Sequence, residues 1–237
     1  MVAGMPHDPR AQGATPQVLS VNVGKASAAA ATAAPSGLTG IDKRPVAGPV
    51  AVAEPGPRGH GGSGLAGDAV CDLRHHGGTD QAVYAYARED LDRWERTLGR
   101  ELPSGVFGEN LTTTGVDVSG VLVGERWRVG RDLVLEATRP RLPCRTFADW
   151  LQEAGWIRRF TDEAAPGAYF RVIEPGEVRA GDRIEVLRRP RHEVSVSFLF
   201  RAQTTAPELR PRLIAAAGYL PQPERDKAEA WAAGGRR

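Results

Sequence analysis

The sequence predicts a mainly β fold: a barrel-like core with helical insertions and a short helical appendage. Three observations lead there. Short segments of alternating apolar and polar residues recur between glycine turns, above all in "GVDVSGVLVGERWRVGRDLVLEAT" (115–138). The turn in "VLVGERWRV" (121–129) is echoed in "VRAGDRIEV" (178–186). Both place Gly, an acid and Arg between strands, which suits a repeated hairpin in a barrel. After Pro190 the apolar residues take helical spacing and strand signals fade. At 237 residues, against roughly 150 per domain, the chain divides into an N-terminal extension (1–16), a β domain (17–190) and a helical appendage (191–237).

Each element follows from local pattern. Residues 1–16 are small and polar with three prolines, which predicts disorder. "QVLSVNVG" (17–24) alternates and reads as a strand. The Ala-rich run 26–35 reads as a loop or short helical turn. Residues 40–56 read as extended segments cut by Gly and Pro. The Gly-rich stretch 56–68 predicts a mobile loop, and "AVCDL" (69–73) a strand. Residues 79–98 predict the first helix. Thr79 or Asp80 can cap it, and Val83, Tyr86, Ala87, Leu91, Trp94 and Leu98 fall near helical spacing. "TFADWLQEAG" and "WIRRFTDEAA" predict two short helices, "GAYFRVIEPG" and "DRIEVLRRP" a further strand pair, and the tail two or three helices.

Composition narrows the function classes. Hydrophobic residues make up 41% and charged residues 25%, as in a soluble globular protein. The net charge of +2 gives no global basic field for nucleic acid. No stretch approaches the ~20 apolar residues of a membrane span, and the N-terminus lacks the apolar run of a secretory leader. The expected location is the cytoplasm, with both cysteines, Cys71 and Cys144, reduced there.

Four motifs bear chemistry. The stretch 56–68 matches G-x-G-x-x-G twice, but prolines precede it and a strand-like segment follows, so a dinucleotide loop is rejected. In "CDLRHHGGTD" (71–80), Cys71, His75 and His76 lack a second ligand cluster, which argues against structural zinc. The pair Gly77-Gly78 permits a tight turn or a close approach to a ligand. With the predicted helix start behind it, this loop can hold an anion; it can equally be a plain turn. In "GVFGENLTTTG" (105–115), Glu109 and Asn110 can bind a ring edge or satisfy their own turn. In "TRPRLPCRTF" (138–147), Cys144 has Arg139, Arg141 and Arg145 within five residues and Pro143 before it. Neighbouring cations favour a thiolate, which is a soft metal ligand. A buried small hydrophobe is the alternative.

Taken in order, these segments resemble the MOSC domain family, named after the C-terminal domain of molybdenum cofactor sulfurase. The likeness is to the bacterial stand-alone branch linked to resistance against N-hydroxylaminopurines. It rests on "VLSVNVGK", "GIDKRPVAGPVAV", the HGG loop in 64–94, "GVFGENLTTTGV", "VLVGERWRVG" and "RPRLPCRTF", and covers roughly residues 17–232. The chain departs from that branch in its extra N-terminal residues, the Ala-rich insert 26–34 and the loop 56–66.

The resemblance implies a MOSC-type β-barrel and a molybdopterin-type molybdenum cofactor with Cys144 as the metal ligand. Arg139, Arg141 and Arg145, and more weakly Lys43 and Arg44, become candidates for its phosphate. His75, His76, Gly77 and Gly78 would line the cleft, with Glu109 and Asn110 opposite. His76 or Glu109 would donate a proton. The implied activity is reduction of N-hydroxylated small molecules. No flavin, haem or ferredoxin motif is present, so electrons would come from a separate reductase. Stand-alone relatives suggest a homodimer. Two alternatives are a non-redox carrier of cofactor or persulfide sulfur, and a metal-free enzyme with Cys144 as nucleophile.

Overall fold

A computed structural model describes residues 15–32 and 34–234. The disorder expected for 1–16 falls outside these residues up to position 14. Pro16 already accepts a backbone hydrogen bond from Ile184 at 2.9 Å.

Strand β1 (Gln17–Gly24) alternates buried and exposed positions over its first half, as its sequence requires. The Ala-rich run is a loop closed by a minimal hairpin, β2 (Ser27–Ala28) with β3 (Leu38–Thr39). The extended segments that follow are β4 (Lys43–Pro45) and β5 (Val50–Val52).

The region 69–98 departs from expectation twice. "AVCDL" is loop, turned by His75 and His76 backbone N–H groups that donate to the Asp72 carbonyl. The helix expected over 79–98 starts only at residue 88. A single 3-10 turn (Thr79–Gln81) leads into strand β6 (Val83–Ala87), and helix α1 (Arg88–Leu98) follows. All five residues of β6 are buried. A strand covered on both faces reads as an unbroken apolar run without alternation. In "VYAYA" that run mimics helical spacing.

The remaining strands are β7 (Leu111–Thr114), β8 (Arg126–Val129) and β9 (Leu133–Arg139). Helices α2 (Arg145–Leu151) and α3 (Trp156–Glu163) are the two short pieces expected there. After them come β10 (Ala168–Glu174), β11 (Gly176–Val178) and β12 (Ile184–Arg188). The tail is α4 (Val196–Gln203), a 3-10 segment (Pro207–Ala216) and α5 (Gln222–Ala232). The Ser195 hydroxyl caps α4 by accepting from the Phe198 N–H at 3.0 Å. Among the described residues, no helix is long and apolar enough to cross a membrane.

Eight strands form one sheet in the order β12-β8-β9-β10-β6-β7-β1-β4, antiparallel except for the β6–β7 pair. The echoed Gly-acid-Arg segments lead into β8 and β12, which pair with each other. Their glycines, Gly124 and Gly181, sit at φ 85° and 90°, where a side chain would be strained. The fold is thus mainly β, but the sheet does not close into a continuous barrel. β1 bulges between Val18 and Ser20 and meets the chain ahead of β12 through the single bridge Gln17–Arg183 and its flanking backbone bonds.

Two cores result. The aliphatic one joins the sheet to the tail: Val18, Leu135 and Phe170 share it with Leu199, Leu213, Leu220 and Ala228. The aromatic one gathers Tyr86, Trp94, Phe107, Phe147, Trp156 and Phe160 around α1, α2 and α3. Each fully buried aromatic side chain there contributes about 2 kcal/mol. The loop from β9 to α2 carries Cys144, which packs against the edge of the aromatic core.

Candidate functional site

A cavity of about 620 Å3 opens beside that loop. Separated segments meet in it: the Ala-rich hairpin, the start of β4, the glycine-rich and histidine loops, β6 at Tyr84, the GENL turn, residues 139–146 and β10 at Tyr169. Cys144, Arg139, Arg141, Arg145, Lys43, His75, His76, Gly77 and Asn110 all line it. Gly78, Glu109 and Arg44 do not.

Cys144 sits at the N-terminal boundary of α2 in extended backbone, half-buried against the aromatic core. Two residues earlier in the wall, Leu142 is 42% exposed. Arg141 is buried, and its guanidinium carbon lies 4.3 Å from the Phe147 ring centroid. Among the described residues no carboxylate pairs with it, and its Nε has no hydrogen-bond partner. Burial works against the charge, yet Tyr169, Tyr84 and Cys144 together hold the Arg141 pKa above the ordinary arginine value. Gly108 leaves room for it: a Cβ there would come within 3.4 Å of Arg141 Nη1.

The other cations are differently placed. Arg139 pairs with Glu224 of α5 at 2.8 Å. Lys43 pairs with Asp68, and burial lowers its pKa while Asp68 resists that. Asp68 is a buried hub, accepting also from Gly24 N–H at 2.7 Å and from Asn110 Nδ2 at 2.8 Å. Arg145 is exposed at the rim. Arg44 is exposed, pairs with Asp42, and borders a separate cleft of about 200 Å3 with Arg100 and Trp150.

His76 is half-buried, and burial with the nearby Arg141 charge pushes it down to about 4. It is therefore neutral at pH 7. His75 is exposed on the rim. Gly77 and Gly78 have φ 76° and 81°. A Cβ on Gly77 would lie 2.6 Å from the Gly62 carbonyl oxygen, and one on Gly78 2.7 Å from Arg58 Cα. The glycine-rich loop and the histidine loop thus interlock, which holds His76 and Arg58 at the cavity. No long helix begins behind them; the 3-10 turn stands where a helix N-terminus was expected.

Glu109 points away from the cavity. Its Oε1 accepts from Gly105 N–H at 2.6 Å and Thr112 Oγ1 at 2.8 Å, and its Oε2 from Phe107 N–H at 3.0 Å. Burial still raises its pKa. Asn110 ties the turn to β6, accepting from Tyr84 N–H at 3.1 Å.

Sequence reasoning missed several polar and aromatic lining residues. Tyr84 and Tyr169, with ring centroids 4.9 Å apart, form an aromatic wall. Tyr84 hid in the strand misread as helix. Asp68 lay in a stretch read as a mobile loop. Arg58, in the same stretch, showed no partner signal; its Nε donates to the Arg74 carbonyl at 2.9 Å. Cys71, weighed only as a zinc ligand, lines the same cavity as Cys144, and burial pushes its thiol up.

Comparison with known proteins bears on the family and the fold. The MOSC domain profile matches residues 72–185. The protein YflK of Bacillus subtilis is 34% identical over 163 residues, 69% of this chain and 70% of YflK. A reductase of Gibberella moniliformis is 32% identical over 51% of this chain, which spans only 22% of that protein. The crystal structure of YiiM from Geobacillus stearothermophilus superposes with a TM-score of 0.71 at 26% identity, over 90% of this chain and 97% of that one.

Proposed function

Because the chain belongs to the MOSC domain family, we propose that it is a molybdenum-cofactor-binding oxidoreductase reducing N-hydroxylated small molecules. Hydroxylated bases and amidoxime-like compounds are the substrate class, and a separate reductase supplies the electrons. One observation carries the reading. A single cavity holds the Cys144 thiol and a buried guanidinium, Arg141, whose Nε lacks a partner. A buried donor left unpaired costs free energy, and an anion seated there would remove that cost.

The residues fit an anionic pterin-dithiolene group. Cys144 would ligate the metal, since a thiolate suits a soft centre. Arg141 would hold the phosphate, with Arg58 and Arg145 nearer the rim. Lys43 and Arg139 contribute less charge, because Asp68 and Glu224 already balance them. When bound, the group supplies the two-electron chemistry of N–O cleavage.

Reduction of N–OH to N–H takes up two protons and releases water. Neutral His76 lines the cavity and can relay a proton through a hydrogen bond. Glu109 does not take that part, because its oxygens are held by its own turn. The relative named a reductase supports the redox half of the reading.

The test is metal and pterin analysis of the chain made in a host competent for the cofactor. Near-stoichiometric molybdenum in the wild type, lost in Cys144→Ala, is expected. Its absence from both would sink the proposal. Metal without turnover of any N-hydroxylated compound would favour a carrier instead.

A further inference from the structure

We propose that Glu224, on the C-terminal helix α5, is a positioning residue for the loop that carries Arg141 and Cys144. The link runs through Arg139. That residue ends β9, lines the cavity and begins the loop 140–144. Two of the five loop residues, Pro140 and Pro143, have no N–H with which to anchor it. The Arg139 side chain is 14% exposed and that of Glu224 5%, and they meet at 2.8 Å.

The pair is poorly built for cohesion. Arg139 Nε and Glu224 Oε2 are both buried without a partner. An incompletely satisfied buried ion pair holds two elements together no better than packed apolar side chains would. What it does provide is one fixed geometry, because the guanidinium is held against a largely buried carboxylate at the end of β9. The footing on α5 is firm. Ala228 of the same helix is in the aliphatic core, and Arg225 donates to the Ala217 carbonyl at 2.8 Å. The segment after residue 190 is on this account part of the cavity's machinery. The inference rests on the reading that Cys144 is the working thiol.

The experiment needs no cofactor, so its failure is separate from a failure of metal binding. In a Cys71→Ser background, the rate of Cys144 alkylation by iodoacetamide is measured, alongside thermal unfolding. The reagent is neutral, so the charge of Glu224 does not steer it. Glu224→Ala is expected to free the loop and raise the rate about threefold or more. Glu224→Gln, which can still accept from Arg139, should stay near the parent rate. A folded Glu224→Ala chain alkylated at the parent rate would overturn the proposal. So would Gln failing to rescue. Should Ala prevent folding, Glu224→Asp keeps the charge but withdraws it by a methylene. A raised rate there supports positioning, and an unchanged one overturns it.

Discussion

The guanidinium of Arg141 is sandwiched between aromatic rings, its carbon 4.3 Å from the Phe147 centroid and 5.3 Å from that of Tyr84. The rings soften its burial by cation–π attraction, but they do not replace a carboxylate. On the proposed function, such a site serves an arriving anion rather than stability. Arg141→Met should therefore leave the fold unchanged or more stable by about 1 kcal/mol. The same change should weaken binding of inorganic pyrophosphate about tenfold, the loss of one charge-assisted contact. Denaturant titration and calorimetry read the two effects. A variant that is destabilised and binds pyrophosphate as before would contradict this view of Arg141.

His76 makes stability depend on pH. Its pKa is near 6.5 in the unfolded chain and about 4 in the fold. Between those values the unfolded chain binds a proton that the fold refuses. Stability is thus fully present above pH 6.5 and is lost as pH falls toward 4, by up to about 2–3 kcal/mol. His76→Gln should flatten this slope in urea midpoints taken across that window. An identical slope in both proteins would assign the effect elsewhere.

Glu109 braces its own turn. Three donors converge on its carboxylate, two of them backbone N–H groups that no other acceptor serves. Glu109→Ala should cost about 2–4 kcal/mol, the desolvated donors being left unpaired. At temperatures where the variant is folded, pyrophosphate affinity should be that of the wild type. A folded, equally stable variant with altered affinity would place Glu109 at the cavity after all.

Gly77 combines a positive φ with a carbonyl oxygen 2.6 Å from where a Cβ would lie. Gly77→Ala should destabilise by about 2–4 kcal/mol, from strain and displaced backbone. Because the displaced loop carries His76, the acid limb of the stability profile should shift as well. Unfolding midpoints at pH 5 and pH 7.5 test both parts together.

Much of this was legible from residue patterns. β1, β9, β10 and β12 carry strand signals, and α2 and α3 show short helical ones. Residues 83–87 did not declare themselves, because β6 lies between β7 and β10 and is buried on both faces. Its alternation is erased, and the helix after it lends it a false period. At the site, the thiol, the arginines and the HGG loop could be named from their motifs. Which buried arginine lacks a carboxylate could not, since the partners of Arg139 and Lys43 lie 85 and 25 positions away, at Glu224 and Asp68. The orientation of Glu109 was equally hidden, because a Gly-Glu-Asn turn can present its carboxylate to either side.

The tail's place in the aliphatic core bears on when the cavity comes into being. Leu199, Leu213, Leu220 and Ala228 cover the same apolar surface that Leu135 and Phe170 offer from the sheet. A ribosome releases Cys144 some eighty residues before it releases Ala228. Throughout that interval the cysteine is out in the cell while the surface that steadies its loop is still bare. On the proposed cofactor reading, loading would wait until the tail has packed onto the sheet, and a chain lacking it would offer a looser loop around Cys144.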